Sequence, residues 1–109
     1  MSRIISIHEY TLRPDVSAAQ FEKTVEQARK RRLFNLPGLI EYYFLKRIRG
    51  TRQTDYAAIW IYENKTAWTN LWGTMNNPVK KENYPEQWKV WENELLAPDK
   101  IFYASYEEF

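Results

Sequence analysis

His8 is the single histidine in 109 residues, and histidine is the one side chain whose ordinary pKa lies near neutrality. Set in an apolar pocket, its ring could take a proton from an acidic phenol or an activated C–H. The plainer reading is a buried neutral imidazole hydrogen-bonded to a tyrosine hydroxyl. Other reactive groups are few. There is no cysteine, which excludes a disulfide scaffold, a thiolate metal site and a Cys nucleophile, and one histidine cannot build a multi-histidine metal centre. Glu9 is next to His8 but points to the opposite side of an extended strand, so the two cannot form an acid/base pair there. What the chain has in excess is aromatic surface: five Trp, eight Tyr and five Phe. That is more than a core this small usually holds, so part of it is expected to meet a ligand or a partner.

The elements that must position these residues follow from pattern. Ile4 to Leu12 is rich in β-branched and aromatic types and reads as a first strand. Ser17 with Gln20 three residues on fits a capping box; Phe21, Val25 and Ala28 then recur at helical spacing, with a stop expected at Leu36-Pro37-Gly38. Leu39 to Ile48 and Asp55 to Tyr62 read as a hairpin across a turn at Gly50 to Thr54. Asn64 can cap a second helix carrying Ala67, Trp68, Leu71 and Trp72. After a break at Asn76-Asn77-Pro78, Pro85 opens a third with a stripe of Trp88, Trp91 and Leu95, and Pro98 closes it. Ile101 to Tyr106 makes the last strand. The order βαββ(αα)β is the split βαβ pattern of an α+β, ferredoxin-like domain: one antiparallel sheet with helices on one face, a single domain over residues 1–109.

Residues two apart on a strand share a face. Ile5 and Ile7 therefore oppose Ser6, His8 and Tyr10, and Ala57, Ile59 and Ile61 oppose Tyr56, Ala58, Trp60 and Tyr62. Neither face is polar, and helices cover only one. Half-exposed, Tyr10, Tyr56, Trp60 and Tyr62 alone would leave a patch of roughly 300 Å², the range in which apolar surface marks a contact site. A second copy of the chain is the expected cover.

Three segments, Ser6-Ile-His-Glu-Tyr-Thr-Leu-Arg-Pro-Asp15, Leu36-Pro-Gly-Leu39 and Ile59-Trp-Ile-Tyr-Glu-Asn-Lys-Thr-Ala-Trp-Thr-Asn-Leu-Trp72, resemble the antibiotic-biosynthesis-monooxygenase-like dimeric α/β barrels, in which two ferredoxin-like protomers face sheet to sheet. The resemblance implies a homodimer through the face of Ile5, Ile7, Ile59 and Ile61. It further implies that His8, Tyr10, Trp60 and Tyr62 look up at the second helix, where Trp68 and Trp72 roof a site for an apolar or aromatic metabolite, with His8 catalytic. The chemistry implied is cofactor-free: a base deprotonates the substrate, whose carbanion reduces O₂ directly, so no cofactor and no metal are expected. Similarity to the haem-degrading branch is partial, with His8 at the place of a polar amide and Tyr62 at that of a tryptophan. Where an axial histidine should follow the second helix stand Asn76, Asn77, Lys80 and Lys81, none a usual haem ligand.

Charge adds little. Sixteen basic against fourteen acidic residues leave +2, too balanced to imply nucleic acid or an anionic membrane. Arg29-Lys-Arg-Arg32 reads as the cationic end of the first helix, and Lys46, Arg47 and Arg49 as edge-strand charges. With no 18-residue apolar run or signal peptide apparent, no membrane partner is expected and the cytoplasm is the expected compartment. An RNA-recognition-type module is the alternative, since that domain shares the topology and stacks bases on third-strand aromatics such as Tyr56, Trp60 and Tyr62. A non-catalytic dimeric interaction domain, marked by a filled cavity, is the other.

Overall fold

The computed structural model describes residues 2–51, 54–96 and 100–109. Strands β1 (Ile4–Thr11), β2 (Leu39–Lys46), β3 (Tyr56–Tyr62) and β4 (Lys100–Glu107) alternate with helices α1 (Ala18–Lys30), α2 (Lys65–Trp72) and α3 (Glu86–Lys89), the last running on as wider π-helical turns over Val90–Leu96. The four strands form one antiparallel sheet in the order β2-β3-β1-β4, the ferredoxin-like arrangement. Both expected caps form. Ser17 Oγ accepts from the Gln20 N–H while Gln20 Oε1 accepts from the Ser17 N–H, and Asn64 Oδ1 accepts from the Ala67 N–H at 2.8 Å.

Three boundaries differ from the sequence reading. Helix α1 stops at Lys30 instead of reaching Leu36. Arg32 takes φ +56°, the Arg32 N–H bonds the Arg29 carbonyl and the Leu33 N–H the Ala28 carbonyl, and Ala28 and Leu33 are both buried: a Schellman end. Arginine holds the left-handed position where glycine is usual, so the stop left no residue-type signal. Of the cationic run, Arg29 and Lys30 remain in the helix and Arg31 and Arg32 lie past it. β2 ends at Lys46, short of Ile48, which is almost wholly exposed. The third helix is π-wound beyond Lys89, a widening that apolar spacing does not foretell. The Leu95 side chain, the stop at Pro98 and residues 52 and 53 of the hairpin turn lie outside the described residues.

The pairings decide the faces of all four strands. His8 sits between Ala58 and Tyr103, and Tyr10 between Tyr56 and Ile101. Tyr42 and Phe44 flank Trp60 and Ala58. This side carries the core, in which Ile4, Tyr10, Tyr56, Ala58, Trp60 and Tyr62 pack with Phe21, Val25, Ala28, Leu33, Phe34, Leu36, Trp88 and Trp91 from the helical layer. It is an aromatic slab: Trp60 stacks on Tyr42 and meets Trp88 and Phe34 edge-on at 5.0 and 5.2 Å. The other side of the sheet carries no helix. There Ile5, Ile7 and Ile59 are partly accessible, and Tyr43, Leu45, Phe102 and Tyr106 are 41–58% exposed.

Helix α2 is seated on the sheet by one close approach. The carbonyl of Gly38, a residue at φ +81°, accepts from the Glu63 N–H, and a Cβ added there would stand 2.5 Å from Ala67 Cβ. Gly38→Ala should therefore lose about 2 kcal/mol or more, from the left-handed backbone and from the collision with α2 together. Urea unfolding measures it, and a variant as stable as the wild type would show that α2 is free to shift.

Candidate functional site

A cavity of about 590 Å³ lies under α2, between the helical side of β1 and β4, the loop 73–79 and the third helix. Its position follows from local structure. Gly73 ends α2 at φ +82°, and the Val79 N–H bonds back to the Trp72 carbonyl, so the chain around Asn76-Asn77-Pro78 curls into a wall. Of the residues expected at a site, His8, Tyr10, Tyr62, Trp68 and Trp72 all line this space. Trp60 does not: it is fully buried behind Trp88. The exchange has a simple cause. Trp88 of α3 lies across Trp60 and takes up its cavity-facing edge, so the residue read as plain core is on the wall.

The polar features are specific. Trp72 Nε1 donates to Tyr62 Oη at 3.1 Å, which leaves the Tyr62 proton free to be donated. Burial raises the pKa of Tyr62 and, more strongly, that of Tyr10, so both stay neutral phenols. Tyr10 Oη lies 3.5 Å from His8 Nδ1, and the His8 ring packs against Trp88, Trp60 and Tyr103. This is the environment of the plainer reading, yet the ring also borders the cavity. Burial pushes the His8 pKa down to about 4, so at neutral pH the imidazole is uncharged and reluctant to accept a proton. The sequence reading missed Glu92, which lines the same space and accepts from Trp88 Nε1 at 2.6 Å. The pair is spaced i, i+4 in a helix, a visible signal; that it faces His8's cavity is not, because the π-helical winding sets its direction. Lys81, Tyr84 and Tyr103 complete the titratable lining. Among the described residues no three His, Asp or Glu side chains gather as a metal site, and no helix is long and apolar enough to cross a membrane.

A second depression, of about 710 Å³, runs along Phe34–Tyr43. It is the more open of the two and touches none of the candidate residues. The aromatic face that an RNA-recognition module would present is not available: Tyr56, Trp60 and Tyr62 are 5%, 0% and 2% exposed, because the helices cover that side of the sheet.

No family model and no curated protein sequence matches this chain. Solved structures do. A hydroxynitrile lyase from Passiflora edulis is similar with a TM-score of 0.68 at 11% identity, over 98% of this chain and 94% of that one. A dimeric protein of unknown function with a ferredoxin-like fold, from Bacteroides fragilis, gives 0.61 at 13%, over 98% and 96%. SnoaB, a cofactor-independent oxygenase from Streptomyces nogalater, gives 0.56 at 13%, over 95% and 90%. The fold is one these proteins share. At such identities the likeness speaks for architecture, the ferredoxin-like one that the resemblance implied, and one architecture hosts different reactions.

The His8 environment has a consequence for stability. Its ordinary pKa is 6.5 and its folded value about 4, so between those pH values the unfolded chain binds a proton that the folded chain refuses. This group should therefore reduce stability by up to about 3 kcal/mol as pH falls from 6.5 to 4, with no effect above 6.5. Urea unfolding of wild type and His8→Gln across that range checks it: the wild type should fall more steeply, and parallel profiles would place the ring in water.

Proposed function

We propose that this chain is a small homodimeric protein that binds an apolar or aromatic metabolite in the cavity beneath α2, with cofactor-free, monooxygenase-like turnover as the sharper form. The observation that carries the proposal is the cavity itself: an aromatic enclosure of Trp68, Trp72, Trp88 and Tyr84 with His8, Tyr62 and Glu92 on its wall, the mix of apolar lining and few polar groups that small-molecule sites use. An open space of this size also favours a binding protein over a domain that only mediates contacts. In turnover, the bound aromatic loses a proton and passes electrons directly to O₂. The Glu92 carboxylate is the proton acceptor on the wall, with the uncharged His8 ring a hydrogen-bonding group on the same wall, and the cofactor-independent oxygenase among the similar structures supports this direction by analogy.

The dimer part of the proposal rests on the bare sheet face. Ile5, Ile7, Ile59 and Ile61 form its centre, with Tyr43, Leu45, Phe102 and Tyr106 around them partly open to solvent. A similar structure is described as dimeric, and face-to-face packing of two such sheets would bury this surface in both copies.

Two measurements test these claims. 1,4-Naphthoquinone should quench tryptophan fluorescence saturably, one molecule per protomer, and Trp72→Ala should weaken binding by about tenfold through loss of a stacking wall; quenching that rises linearly without saturation overturns the binding site. In sedimentation at micromolar concentration the wild type should run as a dimer and Ile59→Asp should dissociate or unfold, since an unpaired carboxylate is costly to bury. A monomeric wild type, or an Ile59→Asp variant that stays a soluble dimer, counts against the assigned interface.

A further inference from the structure

The indoles of Trp72 and Trp88 meet edge-on with ring centroids 5.3 Å apart, and both line the cavity. Each settles its N–H on a different kind of oxygen: Trp72 Nε1 donates to Tyr62 Oη at 3.1 Å, and Trp88 Nε1 donates to Glu92 Oε2 at 2.6 Å. The direction of both bonds is fixed by chemistry, because an indole N–H can only donate. What the two partners have left to offer is therefore opposite. Tyr62 keeps its hydroxyl proton, for which no second protein partner stands among the described residues. The residue is 2% exposed and borders the cavity, so a ligand is the acceptor within that proton's reach. Glu92 has no proton to give as a carboxylate, and one indole occupies only one of its roughly four acceptor positions. In both residues the polar group is the far end of the side chain.

We infer that the cavity is polarised, with a hydrogen-bond donor beside Trp72 at Tyr62 and an acceptor beside Trp88 at Glu92, and that its ligand class is an aromatic compound carrying both a carbonyl and a hydroxyl group. The inference rests on the cavity's being the binding site and narrows what it takes. A buried donor without an acceptor is costly, so a ligand carbonyl at Tyr62 gains what an apolar ligand of the same shape cannot. A hydroxyl at Glu92 gains a charge-assisted bond. The reverse orientation sets a carbonyl against a carboxylate, two acceptors with no proton between them, so the two poles also fix which way round the ligand lies. A ligand carboxylate is disfavoured on the same ground, since it would share the cavity with Glu92. In a conjugated hydroxy ketone, breaking the O–H bond at Glu92 sends the proton to that carboxylate. The electron pair stays on the ligand and spreads through the ring to the carbonyl oxygen, where the Tyr62 proton stabilises it.

Four compounds of one shape test the two poles by equilibrium dialysis: naphthalene, 2-acetylnaphthalene, 2-naphthol and 6-acetyl-2-naphthol. The acetyl and the hydroxyl group should each tighten binding to the wild type about tenfold over naphthalene, as one added hydrogen bond to a buried partner implies. The compound with both should bind at least as tightly as either alone. Tyr62→Phe should erase the gain from the acetyl group and keep that from the hydroxyl, while Glu92→Gln should shrink the hydroxyl gain severalfold and keep the acetyl gain. Two substitutions that cut both gains alike, or leave both in place, overturn the inference. Infrared spectra of the wild type need no variant: the carbonyl stretch of bound 2-acetylnaphthalene should lie below its position in hexane, and a hexane-like stretch overturns the donor pole. If naphthalene binds as tightly as its three derivatives, the cavity stands as a binding site and the inference alone fails. If none of the four binds, the cavity reading fails and the inference falls with it.

Discussion

The structure depends on one constraint: β1 and β3 alternate strictly with a period of two and are apolar on both sides, while the helices can cover only one. The chain must choose which side to bury against its own helices. It buries the side of Tyr10, Tyr56, Trp60 and Tyr62, whose rings are large enough to fill the space under three helices. The aliphatic side of Ile5, Ile7, Ile59 and Ile61 is flatter and carries no helix; Ile61 is nonetheless buried, while Ile5, Ile7 and Ile59 are partly accessible and Tyr43, Leu45, Phe102 and Tyr106 extend the open surface across the sheet. A flat aliphatic face suits another sheet; a rough aromatic one suits helices with holes between them.

Rough aromatic packing also explains why a cavity survives. Flat rings meeting edge-on, as Trp88 meets Trp60 and Trp72 and as Phe34 meets Trp91, cannot be compressed together like branched aliphatics, so space is left where α2, α3 and the sheet converge. Each buried indole brings an N–H that must be placed. Trp72 finds Tyr62 and Trp88 finds Glu92, while the N–H groups of Trp60 and Trp91 are buried without a partner. The polar groups on the cavity wall are thus the same ones that settle the indoles of the core, which ties the chemistry available there to the packing that creates the space.

The likeness to a lyase, to an oxygenase and to a dimeric protein of unknown function is one of architecture, which hosts different reactions. In this chain the polar side chains that enter the cavity come from β1, β3, β4, the segment after α2 and one π-helical turn, so small changes in helix winding would exchange one functional group for another.

The order of elements, both helix caps and the segregation of β1 and β3 into two faces were legible in the sequence, because each is a local matter: a capping serine with glutamine three residues on, an asparagine before an aromatic helix, alternation along eight residues. The grouping of His8, Tyr10 and Tyr62 followed from that alternation, and Trp68 and Trp72 joined them through the resemblance. The end of α1 was hidden because Arg32 takes a conformation its residue type does not advertise. The facing of β2 and β4, the exchange of Trp60 for Trp88 on the wall and the arrival of Glu92 were decided only by tertiary structure. Each depends on how far one element is rotated or shifted against another, a quantity set by the meeting of side chains distant in sequence, and a single chain's local pattern carries no record of it.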